Sequence, residues 1–348
     1  MKPREIHFDV IKGIAICMVV MGHVLTMCIR QIDNLFLFKA IGEIHMPLFF
    51  FISGYFTCKL NESKQLRYPN LTDRAKQLLI PFFVVSALWV FYFPHSHLES
   101  PLEATWGGLY FNIWKNGYWF TLCLFEIMLI YTITLPIINR RNSAFAKVSI
   151  YTLVWAGLAI LWLLALPEEI NKLIGTELIV QFFPIFIIGV YSHKHKEKYY
   201  KVISNRNIQT IAMLIFAAML YYVCYSWEFS AINSNIVYLA RIILHVSLAV
   251  IVVNLIKRLC ENNPSRNIVI RYFSLLGKES LAIYLLHYFF LFPMGQIRQP
   301  LIEMGFGFVP ALFISFVIAT IIIITVLGVN YIIKQSRFAS LALTGKIR

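Results

Sequence analysis

A chain of 348 residues that is 59% hydrophobic and 14% charged, with mean hydropathy +0.70, is too apolar for a soluble domain, which carries about 45–50% apolar and about 25% charged residues. The composition implies an all-α polytopic membrane protein and excludes a soluble enzyme. A net charge of +14 would suit a nucleic-acid binder, but the basic residues collect in the loops of one side, so no nucleic-acid partner is expected.

A membrane span needs about 20 mostly apolar residues. Ten segments approximate this: 8–29, 41–58, 75–93, 118–138, 148–166, 176–192, 208–226, 235–256, 273–293 and 308–333. The first is too long for a signal-peptide core and precedes no small-residue cleavage site, so it reads as a retained helix. The second and sixth are short and hold Pro47 and Pro184, which predicts kinks. The spans fill most of residues 1–348, read as one integral-membrane domain without internal repeats. Cys17, Cys28, Cys58, Cys123, Cys224 and Cys260 lie in or beside apolar segments without paired spacing. They read as small apolar residues rather than a disulfide framework.

Lys and Arg placement sets the orientation. With the N-terminus inside, cytoplasmic segments hold 25 basic residues and outer segments five: Arg30, Lys39, Lys115, Lys172 and Arg298. Lys2, Arg4, Lys64, Arg266, Lys346 and Arg348 count among the cytoplasmic ones, and the C-terminus returns to the cytoplasm.

Asp9, Lys12 and His23 share one face of the first helix, since eleven residues make about three turns. An ionisable group at the depth of His23 costs about 2.5–3.5 kcal/mol when charged, which suggests a functional site. At about 1.5 Å per residue, His23, His45, Glu126 and His287 fall in the outer half, with Arg241 and His245 on one face of the eighth span. Ser280, Tyr284 and His287 share a face of the ninth. Each residue alone has a plainer reading: an interhelical hydrogen bond for a histidine, snorkelling for Arg241. Their common depth favours a shared site. No histidine pair has the i,i+4 spacing of helical zinc sites, so no metal is expected.

Arg67, Arg74 and Lys76 crowd the loop before Pro81. They read either as positive-inside bias or as capture of a phosphate-rich donor such as coenzyme A. The outer loop 94–117 carries Trp106, Tyr110, Phe111 and Trp114, followed by Tyr118 and Trp119. These rings form an interfacial belt or a stacking platform for a sugar.

Asp9-x-x-Lys12, ten residues, then His23 resembles the first-helix signature of the integral-membrane acyltransferase family 3. The run from His45 to Tyr55 is similar to that family's second-helix motif, and Gly277 to His287 to its late-helix motif. Tyr118-Trp119-Phe120 resembles its aromatic entry to a middle helix. The style is that of fucose 4-O-acetylase-like members. One departure stands out: members often carry R-x-x-R before the proline of the third helix, whereas Gln77 follows Arg74 here, leaving Lys76 or Arg67 as substitutes.

The resemblance implies O-acyl transfer, commonly of acetyl, from acetyl-CoA or another acyl-CoA to a hydroxyl of an envelope carbohydrate or lipid-linked sugar. The setting is a multi-pass protein of the inner membrane, surrounded by membrane lipid. Acyl-CoA is a donor substrate, and no permanently bound cofactor is expected. Such chemistry needs a base and an oxyanion partner. His23 is expected as base or transient acyl carrier, and Arg241 and His287 as oxyanion or hydroxyl partners. Lys12 lies about 16 Å from His23 along the helix, which assigns it to the donor path, paired with Asp9. Arg74 and Lys76 are expected to hold the donor, and His45, Glu126 and Tyr284 the acceptor. Ser53, in its apolar run, reads as a packing residue rather than a nucleophile. A secondary transporter is the main rival, though no related halves are visible. A non-enzymatic scaffold is the third class.

Overall fold

Backbone groups in lipid find partners only within their own helix, so the apolar segments fold as helices. The computed structural model describes residues 5–29, 35–63, 65–96, 104–225, 234–262, 267–294 and 308–345. Lys2, Arg4, Arg30, Lys64, Arg266, Arg298, Lys346 and Arg348, used above for orientation, lie outside the described residues.

Helix α1 (Ile6–His23) passes directly into a π-helical turn, Val24–Ile29. Then come α2 (Leu35–Thr57), α3 (Leu71–Tyr92), the short α4 (Trp106–Phe111), α5 (Trp119–Asn139) and α6 (Ala144–Ile160). They are followed by α7 (Glu168–Ile174), α8 (Thr176–Lys194), α9 (Lys196–Ile203), α10 (Arg206–Tyr225) and α11 (Ser234–Asn262). The chain closes with α12 (Ile268–Lys278), α13 (Ser280–Leu286), a 3-10 turn at His287–Phe290, α14 (Phe308–Ile333) and α15 (Arg337–Thr344).

Among the described residues, eight helical stretches are long and apolar enough to cross a membrane. The other two expected spans take different forms. Helix α2 has 23 residues, longer than the expected 41–58, and carries Lys39, Glu43 and His45 in its first half. Segment 273–293 is interrupted at Glu279 (φ −103°, ψ 9°), which separates α12 from α13. The Glu279 carboxylate anchors the break by accepting from Asn330 Nδ2 and Lys334 Nζ.

Helix α1 is central and packs on α2, α11, α12 and α14, while α8 lies along α2. About two thirds of the apolar window of α1 and of α8 is buried (67% each), against 6% for the stretch containing α6, which faces lipid. Small residues permit the closest approaches. A methyl group at Gly277 would overlap the Asp9 carbonyl, and one at Gly54 would overlap the Phe186 carbonyl. At the start of α1, Glu5 accepts from Tyr55, Tyr200 and Lys196, tying α1 to α2 and α9. Burial pushes the Glu5 carboxyl up, but Lys196 and Tyr55 hold it below the ordinary 4.5. The six cysteines are unbridged and five are buried.

Candidate active site

A cavity of about 350 Å³ opens between α1, α2, α3, α5 and the start of α13. Its polar lining is Lys12, Ser53, Arg74, Gln77, Ser280 and Tyr284; Met46, Phe49, Leu78, Phe120, Leu124 and Leu281 supply apolar wall. The Asn70 side chain caps α3 by accepting from the Asp73 N–H, which fixes the first turn that carries Arg74. Arg74 donates to Gln77 Oε1 at 3.1 Å, so the glutamine that replaces an expected arginine orients the remaining one. Lys12 pairs with the buried Asp9 at 3.0 Å, as its i,i+3 spacing predicts. Gly345, just past α15, also lines the cavity. It is left-handed (φ 65°), and a side chain there would overlap the Gln77 carbonyl. Ser53 is therefore a cavity residue as well as a packing one. Lys76 is exposed, because two residues turn a helix about 200° and carry it off the face of Arg74.

Tyr284 leads from the cavity to a second cluster, since His287 sits three residues further along. The rings of His23 and His287 lie 5.2 Å apart. His287 is fully buried, and its Nδ1 is 3.0 Å from the Ile283 carbonyl and 2.8 Å from that of Tyr284. A carbonyl only accepts, so Nδ1 carries the proton and Nε2 presents a lone pair. That Nε2 is buried without a partner among the described residues. His23 stands where α1 passes into its π turn, with Nε2 3.0 Å from the Tyr288 hydroxyl. The third expected histidine, His45, interacts electrostatically with His23 and donates Nδ1–H to the Ile41 carbonyl.

The entry to α5 closes this cluster. Lys115, Asn116 and Gly117 are successive left-handed residues, at φ 47°, 53° and 96°. Such strain in non-glycine residues persists only where neighbours over-determine it. Here Lys115 Nζ donates to the carbonyls of Tyr110 and Lys172, and Asn116 Nδ2 to that of Thr105. The Tyr284 hydroxyl donates to the Gly117 carbonyl at 2.9 Å and accepts from the Phe120 N–H at 3.2 Å. Any side chain at Gly117 would overlap the Tyr288 phenol.

A family model described as an acyltransferase domain matches residues 6–328. The chain belongs to this acyltransferase family. A nodulation protein, NolL, of Sinorhizobium fredii is 48% identical over 92 residues, covering 24% of this chain and 24% of that protein. NolL of Mesorhizobium japonicum is 38% identical over 91 residues, 25% of this chain and 24% of its own. The chain thus matches about a quarter of the length of these curated relatives. No solved structure matches it.

The remaining expected site residues of this acyltransferase lie in other settings. Arg241 donates Nε–H to Glu43 at 2.9 Å and stacks over Tyr238 at 5.5 Å. His245, 1% exposed, meets the other Glu43 oxygen at 3.2 Å, and its ring is parallel to Phe182. Arg241 is therefore engaged in a mostly buried ion pair with α2. The i,i+4 spacing found Arg241 and His245, but their partner on another helix carried no local signal. Glu126 couples electrostatically to Lys115, and one of its oxygens is buried without a partner among the described residues. Burial pushes the Lys115 ammonium down to about 8, against the pull of Glu126. Tyr284 lines the cavity with its ring, while its hydroxyl is taken up by backbone. The residues that sequence reasoning passed over are Glu43, Gln77 as a partner of Arg74, and Tyr288.

Proposed function

We propose that this membrane acyltransferase moves an acyl group, acetyl in the first instance, from cytoplasmic acyl-CoA to a hydroxyl of an envelope carbohydrate. The observation that carries the reading is a cavity holding Lys12 and Arg74 that ends one helical turn from the His23–His287 pair. About 350 Å³ is at the small end of ligand pockets, a match for the pantetheine arm rather than for a whole coenzyme A. The arm lies along the apolar wall, and Lys12 and Arg74 pair with the donor phosphates where these meet the cavity. Gln77 fills the place of a second arginine and keeps Arg74 aimed into the cavity.

The acyl carbon is carried to the imidazole pair. The acceptor hydroxyl approaches from the outer side, past Trp106, Tyr110, Phe111 and Trp114, whose rings are exposed. Its proton passes to an imidazole nitrogen as its oxygen attacks the acyl carbon. The carbon–sulfur bond then breaks, and the thiolate leaves with the proton returned by the imidazolium. His23 acts as base or transient acyl carrier, and His287 supports it with a nitrogen whose lone pair is fixed in place. The protein works in the inner membrane, with both chain ends cytoplasmic.

The test uses membranes that contain the protein, supplied with acyl-labelled acetyl-CoA and envelope glycan. Label appears in the glycan in proportion to the protein present. Failure to label with a panel of acyl-CoAs and glycans overturns the reading.

A further inference from the structure

The cluster around His23 holds two buried polar atoms that nothing among the described residues satisfies. One is His287 Nε2, an acceptor because Nδ1 holds the proton. The other is the Tyr118 hydroxyl, on a residue with no exposed surface. Both border Tyr288: its ring centroid is 4.3 Å from that of His287, 5.3 Å from that of Tyr118 and 4.7 Å from that of His23. The Tyr288 hydroxyl itself is engaged with His23.

A phenylalanine at position 118 would fill the same volume without an orphaned O–H, and an unsatisfied buried hydroxyl costs stability. The chain also holds Tyr118 at some expense. It is the residue directly after the three left-handed residues Lys115, Asn116 and Gly117. Loops strained in this way and locked by buried hydrogen bonds are characteristic of sites where placement matters. The Lys115 and Asn116 side chains and the Tyr284 hydroxyl fix the loop, so the Tyr118 phenol has little freedom.

The two orphans are complementary. A lone pair awaits a hydroxyl proton, and an O–H awaits an oxygen that accepts. Acyl transfer to an alcohol presents both, the attacking hydroxyl and the acyl carbonyl. Arg241, expected with His287 as an oxyanion or hydroxyl partner, pairs with Glu43.

We propose that Tyr118 is a catalytic residue whose phenol O–H donates to the acyl carbonyl oxygen as negative charge gathers there. This rests on the acyl-transfer reading above. The step balances: the acceptor oxygen bonds to the acyl carbon, and its proton goes to imidazole. The carbonyl electron pair moves onto the oxygen held by Tyr118. Collapse of that oxyanion breaks the carbon–sulfur bond and returns the pair, and the departing thiolate takes the imidazolium proton. Tyr118 keeps its own proton throughout.

The experiment compares Tyr118→Phe with the wild type in two assays. In detergent, the variant melts at or above the wild-type temperature, since it loses an unsatisfied group. In acyl transfer from labelled acetyl-CoA, its kcat falls about 10²-fold, with the KM for acyl-CoA unchanged. A kcat within threefold of wild type overturns the proposal. So does a variant that melts several degrees lower and loses activity only in step with folded protein, which marks a structural hydroxyl. A wild type that transfers nothing from any acyl-CoA overturns the acyl-transfer reading and this inference with it; an active wild type with an equally active variant overturns this inference alone.

Discussion

Removing the Tyr284 hydroxyl, as in Tyr284→Phe, takes two hydrogen bonds from the entry to α5. The Gly117 carbonyl loses a donor at 2.9 Å and the Phe120 N–H an acceptor at 3.2 Å. The Phe120 N–H lies in the first turn of α5, where no carbonyl of the same helix can receive it. Tyr284 is 6% exposed and Phe120 8%, so water does not replace the lost partner. Each such bond is worth about 1 kcal/mol net, and a buried backbone group left unpaired costs about 1–3 kcal/mol. With both groups orphaned, the expected loss is about 2–6 kcal/mol. The strained Lys115–Gly117 loop also loses one of its anchors. Thermal unfolding in detergent measures the effect, and Tyr284→Phe should melt several degrees below the wild type. Its acyl-transfer rate per folded molecule should fall less than that of Tyr118→Phe, because its hydroxyl has no vacancy for substrate. A Tyr284→Phe protein that melts with the wild type refutes the assignment of this hydroxyl to the fold.

Other perturbations separate the two halves of the site. Arg241→Met leaves the Glu43 carboxylate buried beside His245 alone, a loss of about 3–5 kcal/mol, whereas Glu43→Gln with Arg241→Met recovers most of it; melting of the single and double variants checks this. Lys12→Ala and Arg74→Ala should each raise the KM for acyl-CoA several-fold with little change in kcat, read from initial rates over a donor titration. Lys115 gives a pH dependence. Its ammonium titrates near 8 in the fold against an ordinary 10.5, so between these values the unfolded chain binds a proton that the folded chain has shed. Stability therefore rises with pH across that window, and melting temperature against pH should lose this slope in Lys115→Met.

The first-helix stripe was legible because periodicity alone puts Asp9, Lys12 and His23 on one face, and the Asp9–Lys12 pair has its expected spacing. Equal expected depth placed His23 and His287 in one slab, but their contact came only from the packing of the helices that carry them. Lateral partners were not legible. Glu43 is an isolated acid in α2, and only the approach of α11 gives it Arg241 and His245. The interruption at Glu279 was hidden because the apolar runs on either side of Gly277–Ser280 read together as one span. What marks it is a carboxylate bonded to Asn330 and Lys334, more than 50 residues away. Lys115 read as an outer-loop cation by charge counting, yet it is 2% exposed because two carbonyls from separate segments draw its ammonium inward.

The central claim, that the imidazole pair handles the proton of acyl transfer, is tested most directly by His23→Ala and His287→Ala. Membranes containing equal amounts of folded wild type and variants are given acyl-labelled acetyl-CoA and envelope glycan. Label should appear in the glycan with the wild type and fall at least about 10²-fold with either variant. Transfer at the wild-type rate by both variants would contradict the claim.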